Sequence, residues 1–362
     1  MTVSHLGAAV DTAAVEAVIR GFLAERRAEL DTLDRDLAAT VAELESYVLR
    51  GGKRIRPAFA WLGWIGAGGD QRDPAAATVL SACAGLELLH ASALIHDDII
   101  DASRTRRGHS AAHVTFAERH RLRSFSGDSD AFGTATAILV GDLAQVWADV
   151  MVRTSGLSVD AQLRVEQVWS SVRSEVLYGQ LLDLVNQASD DEGIEAALRV
   201  NQYKTASYTV ERPLQFGAAI AGAGPELMAT YRAFGADIGI AFQLRDDLLG
   251  VFGDPKVTGK PSGDDLREGK RTVLLATALE CADECDPDGA KFLRATIGTD
   301  LSGDELAAVR SLFVDVGAVD RIERQIALRT DRAMAVLQAS EATAPAKDQL
   351  AAMAIKATQR AH

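Results

Sequence analysis

The chain has few cysteines, and their positions exclude a disulfide framework. Its 362 residues include three: Cys83, Cys281 and Cys285. Cys281 and Cys285 stand one helical turn apart, but no histidine or further cysteine nearby completes a zinc site. We therefore expect free thiols in a reducing compartment and a cytoplasmic protein.

Positive charge and long apolar runs are also scarce. The 38 lysines and arginines are outnumbered by 51 aspartates and glutamates, which gives a net charge of −13. That sign excludes bulk binding to nucleic acid or to an anionic membrane, so an anionic substrate would need a local basic cluster or metal ions. Residues 1–10 lack a signal-peptide pattern and no long uncharged apolar run occurs, so we predict no transmembrane segment.

Proline is rare, with 8 residues, and long stretches contain no helix breaker. Apolar residues recur there at helical spacing among strong helix formers, and no alternating β-branched run indicates a sheet. These stretches are residues 13–49, 75–95, 134–154, 160–186, 226–249 and 271–281. The pattern predicts an all-α fold of ten or more helices. A chain of this length allows two domains, but we predict one over residues 1–362, with 1–13 and 358–362 loosely ordered.

Breaker-rich segments separate the predicted helices. They are residues 66–73, 124–133, 222–225, 253–263 and 286–289. The clearest is SFSGDSDAFG at 124–133, which is polar and acidic and bears glycine. We predict that it is a solvated connection rather than a lid over a site.

Three aspartates close an apolar helix in the segment LIHDDIID. Asp97 and Asp101 are four residues apart, so their carboxylates project from one helix face about 6 Å apart. Asp98 lies between them. A divalent cation such as Mg²⁺ would relieve their repulsion, because it prefers carboxylate and phosphate oxygens. A solvated acidic helix end explains a lone motif of this kind equally well.

A second acidic cluster favours the metal-binding interpretation. Asp246 and Asp247 close another apolar helix in AFQLRDDLLGVFGD, and Asp254, Asp264 and Asp265 follow. Two such clusters predict two walls of one cavity, in which metal ions bridge a diphosphate to the carboxylates.

Basic residues lie beside each acidic cluster. In a chain of net negative charge such groups suit a polyanion, although a single lysine or arginine is usually a solvated surface charge. They are Lys53, Arg54 and Arg56 in GGKRIRP, Arg106 and Arg107 in RTRRG, Lys204 in YKTAS, Lys260 in TGKP, and Lys270 and Arg271 in GKRT. His90 lies two helical turns before Asp97 and could share its face, although a core histidine is the commoner case.

Taken in order, these motifs resemble the trans-isoprenyl diphosphate synthases of the polyprenyl synthetase family, in particular bacterial geranylgeranyl diphosphate synthases. The matching segments are GGKRIRP at 51–57, ELLHASALIHDDIID at 87–101, RTRRG at 104–108, LVGD at 139–142, GQLLD at 179–183, KTA at 204–206, FQLRDDLLGVFGD at 242–254 and TGKPSGDDLREGKRT at 258–272. The resemblance implies a single helical domain around a deep central cavity, usually in a homodimer. It also implies head-to-tail (1'-4) condensation, in which an allylic diphosphate loses diphosphate and isopentenyl diphosphate attacks the resulting cation.

The resemblance also implies roles for individual residues. Two to three Mg²⁺ ions, bound with the allylic diphosphate, would be held by Asp97, Asp101 and Asp246, with Asp98 and Asp247 orienting ligands or basic residues. The allylic diphosphate would be bound by Arg106, Lys204 and Lys260, together with Thr205 and Gln243, whose oxygen dipoles would face the cation. Isopentenyl diphosphate, which needs no metal, would be bound by Lys53, Arg56, His90 and Arg107. The released diphosphate would take the final proton.

The second acidic motif departs from the family pattern at its fifth position. Gly250 stands where the family often has another aspartate. Because the first aspartate of the motif is the expected ligand, we predict that activity survives and that the third metal binds less tightly.

Product length follows from side-chain size beside the first acidic motif. Ser92 and Ala93 lie about one turn before Asp97, and both are small, so they disfavour a block at C15. Leu88 and Leu89, a further turn away, would form the floor. We predict geranylgeranyl diphosphate, C20, with C25 or longer products, or farnesyl diphosphate, as the alternatives. The sequence does not indicate the preferred primer or the downstream pathway.

Two other functions compete with this prediction. A class I terpene cyclase shares an acidic ionisation site, but it would not need GGKRIRP, His90 or RRG. A non-catalytic partner subunit would be expected to lack carboxylates or basic residues that this chain keeps. A plain acidic helical scaffold explains the composition but not the order of the motifs.

Overall fold

The computed structural model describes residues 11–253 and 263–359, and nearly all of its regular elements are helices. In chain order they are α1 (Thr12–Asp31), α2 (Arg35–Leu49), α3 (Ile55–Gly66), α4 (Ala76–Ile100), strands β1 (Thr105–Arg106) and β2 (His109–Ser110), α5 (Ala112–Leu122), α6 (Ser129–Arg153), α7 (Val159–Ala188), α8 (Ile194–Val200), a π-helix π1 (Asn201–Glu211), α9 (Arg212–Ala221), α10 (Pro225–Phe252), α11 (Asp264–Arg267), α12 (Val273–Cys285), α13 (Pro287–Thr296), α14 (Gly303–Asp315), α15 (Ala318–Ala339) and α16 (Ala344–Thr358). The expected all-α class with ten or more helices is confirmed.

The chain divides into two compact units. Among the described residues, the first unit contains 11–168, 213–223 and 343–346, and the second contains the remainder. The prediction of a single domain around a deep cavity stays a prediction. The chemistry-bearing motifs divide as well: the first acidic motif lies in the first unit and the second acidic motif in the second unit.

The first unit is organised around α4, which packs against α3, α5, α1 and, most extensively, α6. Apolar residues surround α4 on nearly every face, which is the pattern of a helix buried inside a core. Gly85 lets α6 approach closely, because a Cβ at that position would lie 2.8 Å from Val152 Cγ2. The interior position of α4 holds its C-terminal aspartates on a rigid element.

The second unit has a core of buried Leu, Val, Ile and Phe side chains contributed mainly by α10, α12, α14 and α15. The π-helix π1 lies against α10, where Gly235 and Gly239 present backbone without side chains. A Cβ at Gly239 would lie 2.3 Å from Ala206 Cα, so only glycine permits this approach. Arg245, buried on α10, donates to Glu323 at 2.6 and 2.7 Å and to the Thr358 carbonyl at 2.8 Å.

Several predicted boundaries were wrong for local reasons. The stretch 13–49 breaks into α1 and α2 because Asp34 caps α2, accepting from Asp36 N at 2.7 Å. α6 begins inside the predicted loop 124–133, with Asp128 accepting from Ala131 N. α13 begins inside 286–289 for the same reason, because Asp286 caps it and Pro287 starts it.

Chain ends and strands also differ in part from the prediction. Residues 1–10, 254–262 and 360–362 lie outside the described residues, whereas residues 12 and 13 are helical and Thr358 is a buried helix end, not loose chain. The two-residue strands β1 and β2 form a short hairpin that the absence of β-branched runs did not predict.

Two of the described helices, α4 and α6, are long and apolar enough, by length and composition, to cross a membrane. Within the most apolar window, 67% of α4 and 44% of α6 is buried inside the protein. Core helices meet the same criteria, so these two helices are weak evidence for a span.

Candidate active site

The end of α4 carries a buried carboxylate bound by an arginine. The side chain of Asp98 has no solvent exposure, and Arg106 Nε donates to its Oδ1 at 2.7 Å. A terminal nitrogen of Arg106 contacts the same oxygen and reaches Asp97 Oδ2 at 3.3 Å. The guanidinium of Arg106 therefore contacts two aspartates of the first motif, and the role of Asp98 in orienting a basic residue stays a prediction.

A tight hairpin turn places Arg106 and Arg107 beside α4. Arg106 pairs with His109, so Arg107 and Gly108 are the two turn residues, with φ angles of 53° and 75°. Positive φ at both positions is the type I′ geometry, which is strained for a residue with a side chain such as Arg107. Arg107 Nη1 donates to the Gly51 carbonyl at 2.6 Å, a contact that holds the strained turn.

The GGKRIRP segment meets this hairpin. Gly51 and Gly52 have φ angles of 91° and 128°, and a Cβ at Gly52 would lie 3.0 Å from Arg107 Nη1. Lys53, the next residue in the chain, is exposed to solvent. The segment and hairpin are therefore joined through the Arg107 guanidinium.

Arg54 differs from its basic neighbours because it is buried and paired inside the unit. Its side chain is 1% exposed and donates to Glu87 at 2.9 Å, to Glu16 at 3.0 Å and to the Val48 carbonyl at 2.8 Å. The interpretation of Arg54 as part of a polyanion-binding cluster is corrected. Its ion pairs instead fix the turn, where Arg54 itself has a φ of 48°, immediately before α3.

His90 lies in the field of the arginines predicted to share its substrate. Burial first, and then the positive charges of Arg56 and Arg107, hold the pKa of His90 well below its usual range. A neutral imidazole can donate to a phosphate oxygen without adding a like charge beside these arginines. The structure thus brings His90, Arg56 and Arg107 together in the first unit.

Two residues beside this site carried no signal in the sequence motifs. Tyr47 donates from its hydroxyl to Asp98 Oδ2 at 3.3 Å, and Arg50 lines a cleft with Tyr47, Arg106 and Arg107. Burial and the neighbouring Asp98 charge raise the pKa of Tyr47, so its hydroxyl stays a donor. Tyr47 reaches the site from α2 and Arg50 from the residue that follows it, contacts that spacing along the chain could not reveal.

In the second unit, π1 presents Lys204 and Thr205. Lys204 Nζ pairs with Asp183 Oδ2 at 2.8 Å, and a Cβ at Gly179 would lie 2.3 Å from Lys204 N. The GQLLD motif therefore contributes Gly179, which lets α7 lie close to the backbone of Lys204, and Asp183, whose carboxylate pairs with the Lys204 ammonium group. Its aspartate was missed as a functional candidate, although the motif itself was recognised.

A hydrogen-bonded chain connects π1 to the second acidic motif. Thr205 Oγ1 donates to Gln243 Oε1 at 2.8 Å, and Gln243 Nε2 donates to Asp247 Oδ1 at 2.8 Å. The structure therefore brings these three candidates together. In this arrangement the lone pairs of Thr205 Oγ1 remain directed away from the donated proton.

The two aspartates of the second motif have different environments. Asp246 is exposed, whereas Asp247 is 3% exposed and its Oδ2 has no hydrogen-bond partner. Burial, with the charges of Asp265 and Asp246, raises the pKa of Asp247 to about 8. A buried carboxylate oxygen without a donor is a position suited to a cation or to a water bound to one.

The remaining candidates are placed as follows. Lys270 Nζ pairs with Glu268 at 2.8 Å, and Arg271 pairs with Asp190 at 2.8 Å, so both bind neighbouring carboxylates. Lys260 lies outside the described residues. The chain-length candidates Leu88, Leu89 and Ser92 are buried on α4, and Ala93 is half-buried.

Carboxylate oxygens dominate the donor set, which suits a hard divalent cation such as Mg²⁺. Within residues 11–253 and 263–359, no group of three or more His, Cys, Asp or Glu side chains is assembled to hold an ion alone. An ion here would rely on phosphate oxygens and water for its remaining ligands, as Mg²⁺ commonly does. The orphaned Asp247 Oδ2 agrees with that fit.

An all-helical fold with aspartate pairs next to arginine and lysine defines an enzyme class that handles diphosphates. Residues 38–312 match the family described as polyprenyl synthetase. The chain belongs to the polyprenyl synthetase family and is a prenyltransferase, a trans-prenyl diphosphate synthase. The resemblance noted from the motifs is confirmed.

Similar proteins differ in the products that their names state. The chain is 34% identical to geranylfarnesyl diphosphate synthase of Aeropyrum pernix over 79% of this chain and 83% of that protein. It is 31% identical to octaprenyl diphosphate synthase of Escherichia coli over 91% of this chain and 93% of that protein. Among solved structures, geranylgeranyl pyrophosphate synthase from Corynebacterium glutamicum, complexed with isoprenyl diphosphate and magnesium, is 44% identical, with a TM-score of 0.90 and coverage of 97% and 100%.

Proposed function

We propose that the protein catalyses the Mg²⁺-dependent head-to-tail (1'-4) condensation of isopentenyl diphosphate with allylic diphosphates and releases all-trans geranylgeranyl diphosphate. The observation that carries the proposal is the Asp97–Asp98–Arg106 cluster, where carboxylates for a cation and a guanidinium for an anion meet at one helix end. The solved relative that is 44% identical carries the geranylgeranyl name, which supports the C20 product.

Asp97 and Asp101 would hold two Mg²⁺ ions from the first motif, and Asp246 a third from the second. Bound Mg²⁺ neutralises the charge that develops on a departing diphosphate. Asp98 and Asp247 are buried and hydrogen-bonded to Arg106 and Gln243, so they orient the groups around the metal ligands.

Cationic side chains bind the allylic diphosphate and stabilise its departure. Arg106 and Lys204 are each held by a carboxylate, Asp98 and Asp183, which fixes where their charge is presented. Lys260 belongs to the same proposed set. Because the positive charges are in place before the C–O bond breaks, little reorganisation is needed as negative charge grows on the leaving group.

Oxygen dipoles stabilise the allylic cation. Thr205 donates its hydroxyl proton to Gln243 and therefore presents oxygen lone pairs rather than a proton. Gln243 is held in turn by Asp247. This orientation favours positive charge near Thr205 Oγ1, and the hydrogen bonds hold both side chains in place.

Isopentenyl diphosphate binds to Lys53, Arg56, His90 and Arg107, a set that contains no carboxylate and so needs no metal. Neutral His90 contributes a hydrogen bond, and the arginines contribute charge. After the new carbon–carbon bond forms, the released diphosphate accepts the proton lost from the adjacent carbon. The buried apolar face of α4 excludes water from the growing chain.

We further propose a homodimer. Apolar side chains are exposed on two long helices: Ile138, Leu139 and Val146 on α6, and Leu181 and Val185 on α7. Exposed apolar residues in such number on helices favour burial against another surface, and a second copy is the occupant that the family suggests. Light scattering coupled to size exclusion tests this, and a monomeric mass contradicts it.

We place the enzyme in the cytoplasm. Its three cysteines are free, as expected in a reducing compartment. Fractionation of cells that express the full chain tests the location, and recovery with membranes contradicts it.

The catalytic proposal is tested by incubating purified protein with Mg²⁺, isopentenyl diphosphate and, separately, C5, C10 and C15 allylic diphosphates. Products are dephosphorylated and sized by mass spectrometry. A dominant C20 alcohol that disappears with EDTA is expected. Longer or C15 alcohols reject the C20 assignment alone. Cyclic hydrocarbons formed without isopentenyl diphosphate, or no turnover, reject the synthase and favour a cyclase or a partner subunit.

A further inference from the structure

One face of α7 follows π1 in the second unit. Glu175, Gly179 and Asp183 are spaced four residues apart, so they lie in a row on the same side of the helix. Gly179 and Asp183 lie against Lys204. Glu175, at the first position of the row, contacts the last turn of π1 instead.

The carboxylate of Glu175 binds both residues that form this last turn. It accepts two hydrogen bonds from the Arg212 guanidinium, from Nε at 2.8 Å and from Nη2 at 2.5 Å. The hydroxyl of Ser207 donates to the same carboxylate. The backbone N–H of Arg212 donates to the Ser207 carbonyl, which is the i+5 hydrogen bond of a π-helix. Glu175 therefore joins, through side chains, the two residues that this backbone bond joins.

Glu175 is an ionised acceptor in a largely buried place. Burial acts to raise the pKa of Glu175, but the hydrogen bonds from Arg212 and Ser207 outweigh burial and hold the pKa below its usual range. The side chains of Arg212 and Glu175 are only 15% and 14% exposed. Hydrogen bonds between charged groups in such a place are strong and fix the geometry of both partners.

The contacts of π1 depend on its π winding. Gln202 Nε2 donates to Glu211 Oε2 at 3.3 Å, across nine residues. In an α-helix this separation makes about 2.5 turns and places two side chains on opposite faces. The wider winding of i+5 bonds needs only about two turns for the same separation, which brings the two side chains together. Conversion to α winding would therefore break this contact and change the direction of Lys204 and Thr205 relative to Arg212.

α10 confines the end of π1 from another side. A Cβ at Gly235 would lie 2.4 Å from Glu211 Cα, so the backbones of α10 and π1 lie in direct contact there. Gln243, about two helical turns further along α10, accepts from Thr205. Movement of the last π turn would therefore shift Thr205 relative to Gln243.

We propose that Glu175 is a positioning residue that keeps π1 in its π register by binding the last turn. That register sets the direction in which Lys204 and Thr205 face the allylic diphosphate. The inference rests on the proposed function, which gives these two residues their substrate. The effect of Glu175 is confined to the allylic substrate, because the residues proposed to bind isopentenyl diphosphate lie in the first unit.

Steady-state kinetics of Glu175→Gln test the inference. The KM for allylic diphosphate is expected to rise about 10-fold and kcat to fall, since Lys204 and Thr205 are displaced, whereas the KM for isopentenyl diphosphate stays within about twofold of the parent value. A variant that merely folds less well lowers the amount of active enzyme and changes neither KM. Glu166 is an exposed glutamate of α7, so Glu166→Gln is the matched control and should equal the parent protein.

A double variant separates positioning from stability. Glu175→Gln leaves the largely buried Arg212 charge with less compensation, so the melting temperature should fall. Adding Arg212→Met removes that charge and should recover part of the melting temperature. The KM for allylic diphosphate should stay raised, because the last turn still lacks the carboxylate that binds it. Recovery of this KM together with the melting temperature contradicts positioning.

Hydrogen exchange of backbone amides, followed by mass spectrometry, gives a measurement without substrate. Peptides that cover Asn201–Glu211 are expected to exchange about 10-fold faster in Glu175→Gln than in the parent protein, and at the parent rate in Glu166→Gln. Ser207→Ala removes one of the hydrogen bonds to Glu175 and should give a smaller increase.

Two results overturn the inference: an unchanged KM for allylic diphosphate in Glu175→Gln, or exchange in π1 that equals that of the parent protein. Failure of the proposed function is separately visible. Parent protein without turnover rejects the synthase, and with it the substrate of Lys204, whatever the exchange rates are. Parent protein with turnover, together with an unchanged allylic KM in Glu175→Gln, rejects the positioning role alone.

Discussion

Tyr47 donates its hydroxyl to Oδ2 of Asp98 across 3.3 Å, while Arg106 binds the opposite oxygen of the same carboxylate. A residue of α2 thereby contacts the buried aspartate that holds Arg106, the arginine proposed to bind the allylic diphosphate. Tyr47→Phe removes only this hydroxyl. We expect kcat for allylic substrate to fall about fivefold, the loss of roughly one hydrogen bond, with a smaller change in KM.

Tyr178→Phe is the matched control for that variant, because Tyr178 is 56% exposed. Steady-state kinetics at saturating Mg²⁺ measure kcat and KM for the two variants and the parent protein. Equal rates in Tyr47→Phe and the parent protein contradict a positioning role for Tyr47.

The buried Arg54–Glu87 pair is expected to stabilise the first unit and to position Lys53. Glu87→Gln keeps the shape but leaves a buried guanidinium with less negative charge, so the free energy of unfolding should fall by about 2–4 kcal/mol. The KM for isopentenyl diphosphate should rise, since the turn beside Lys53 loses its anchor. Urea unfolding and kinetics check both effects. Glu16→Gln, which removes the more exposed partner of Arg54, should cost less; an equal cost contradicts the argument.

Close packing of α7 on π1 predicts an unusual response to alanine. Gly179→Ala should stabilise an isolated helix by about 1 kcal/mol, yet its Cβ would lie 2.3 Å from Lys204 N. We expect loss of stability and an activity loss of about 10-fold or more, as Lys204 and Thr205 are displaced. Gly21→Ala on α1 is the control, because nothing lies within 4 Å of its Cβ, and it should be neutral or stabilising. Similar behaviour of the two variants contradicts the packing argument.

The raised pKa of Asp247 predicts a pH-dependent gain for Asp247→Asn. Burial raises the folded-state pKa to about 8, so the folded state favours the protonated carboxyl. The contribution of Asp247 to stability is therefore full below its unfolded pKa of about 4 and is lost as pH rises through about 8. Without divalent cations, Asp247→Asn should melt several degrees above the parent protein near pH 9 and equally near pH 4. Thermal melts in EDTA check this. An increase in melting temperature of the same size at both pH values contradicts the raised pKa of Asp247 as its cause.

Side-chain size on α4 predicts product length. Ser92→Phe should shorten the product toward C15, and Leu89→Ala should lengthen it, if Leu89 forms the floor. Leu89 is 2% exposed, so its truncation also costs about 2–5 kcal/mol. Leu86→Ala, equally buried on the same helix, controls for that cost and should leave product length unchanged. Mass spectrometry of the dephosphorylated products measures the product length of each variant. An unchanged distribution in both Ser92→Phe and Leu89→Ala contradicts this placement of the floor.

Local patterns predicted the helices well because helix formation depends on nearby residues. The spacing of apolar residues placed α4, α6 and α10, and it placed Asp97 and Asp101 on one helix face. Boundaries were less predictable. Asp34 and Asp128 each begin a helix by accepting backbone hydrogen bonds from its first turn, and several nearby polar residues could have capped the helix instead.

Positions that depend on long-range contact were not predicted. Arg54 resembles its basic neighbours along the chain, yet in the fold it is buried and forms ion pairs with Glu87 and Glu16. Asp183 appeared only as part of a motif, and its pairing with Lys204 requires α7 to meet π1.

The sequence by itself determined the helical class, the two acidic motifs, their basic companions and the family, because each of these resides in short segments whose chemistry is local. Tertiary structure alone decided which side chains from distant segments lie in contact. Asp265 stands in the space of the side chain that Gly250 lacks, and Tyr47 reaches Asp98 from another helix. Such contacts join residues distant along the chain, and they arise only when packing of the helices brings their backbones to a fixed separation.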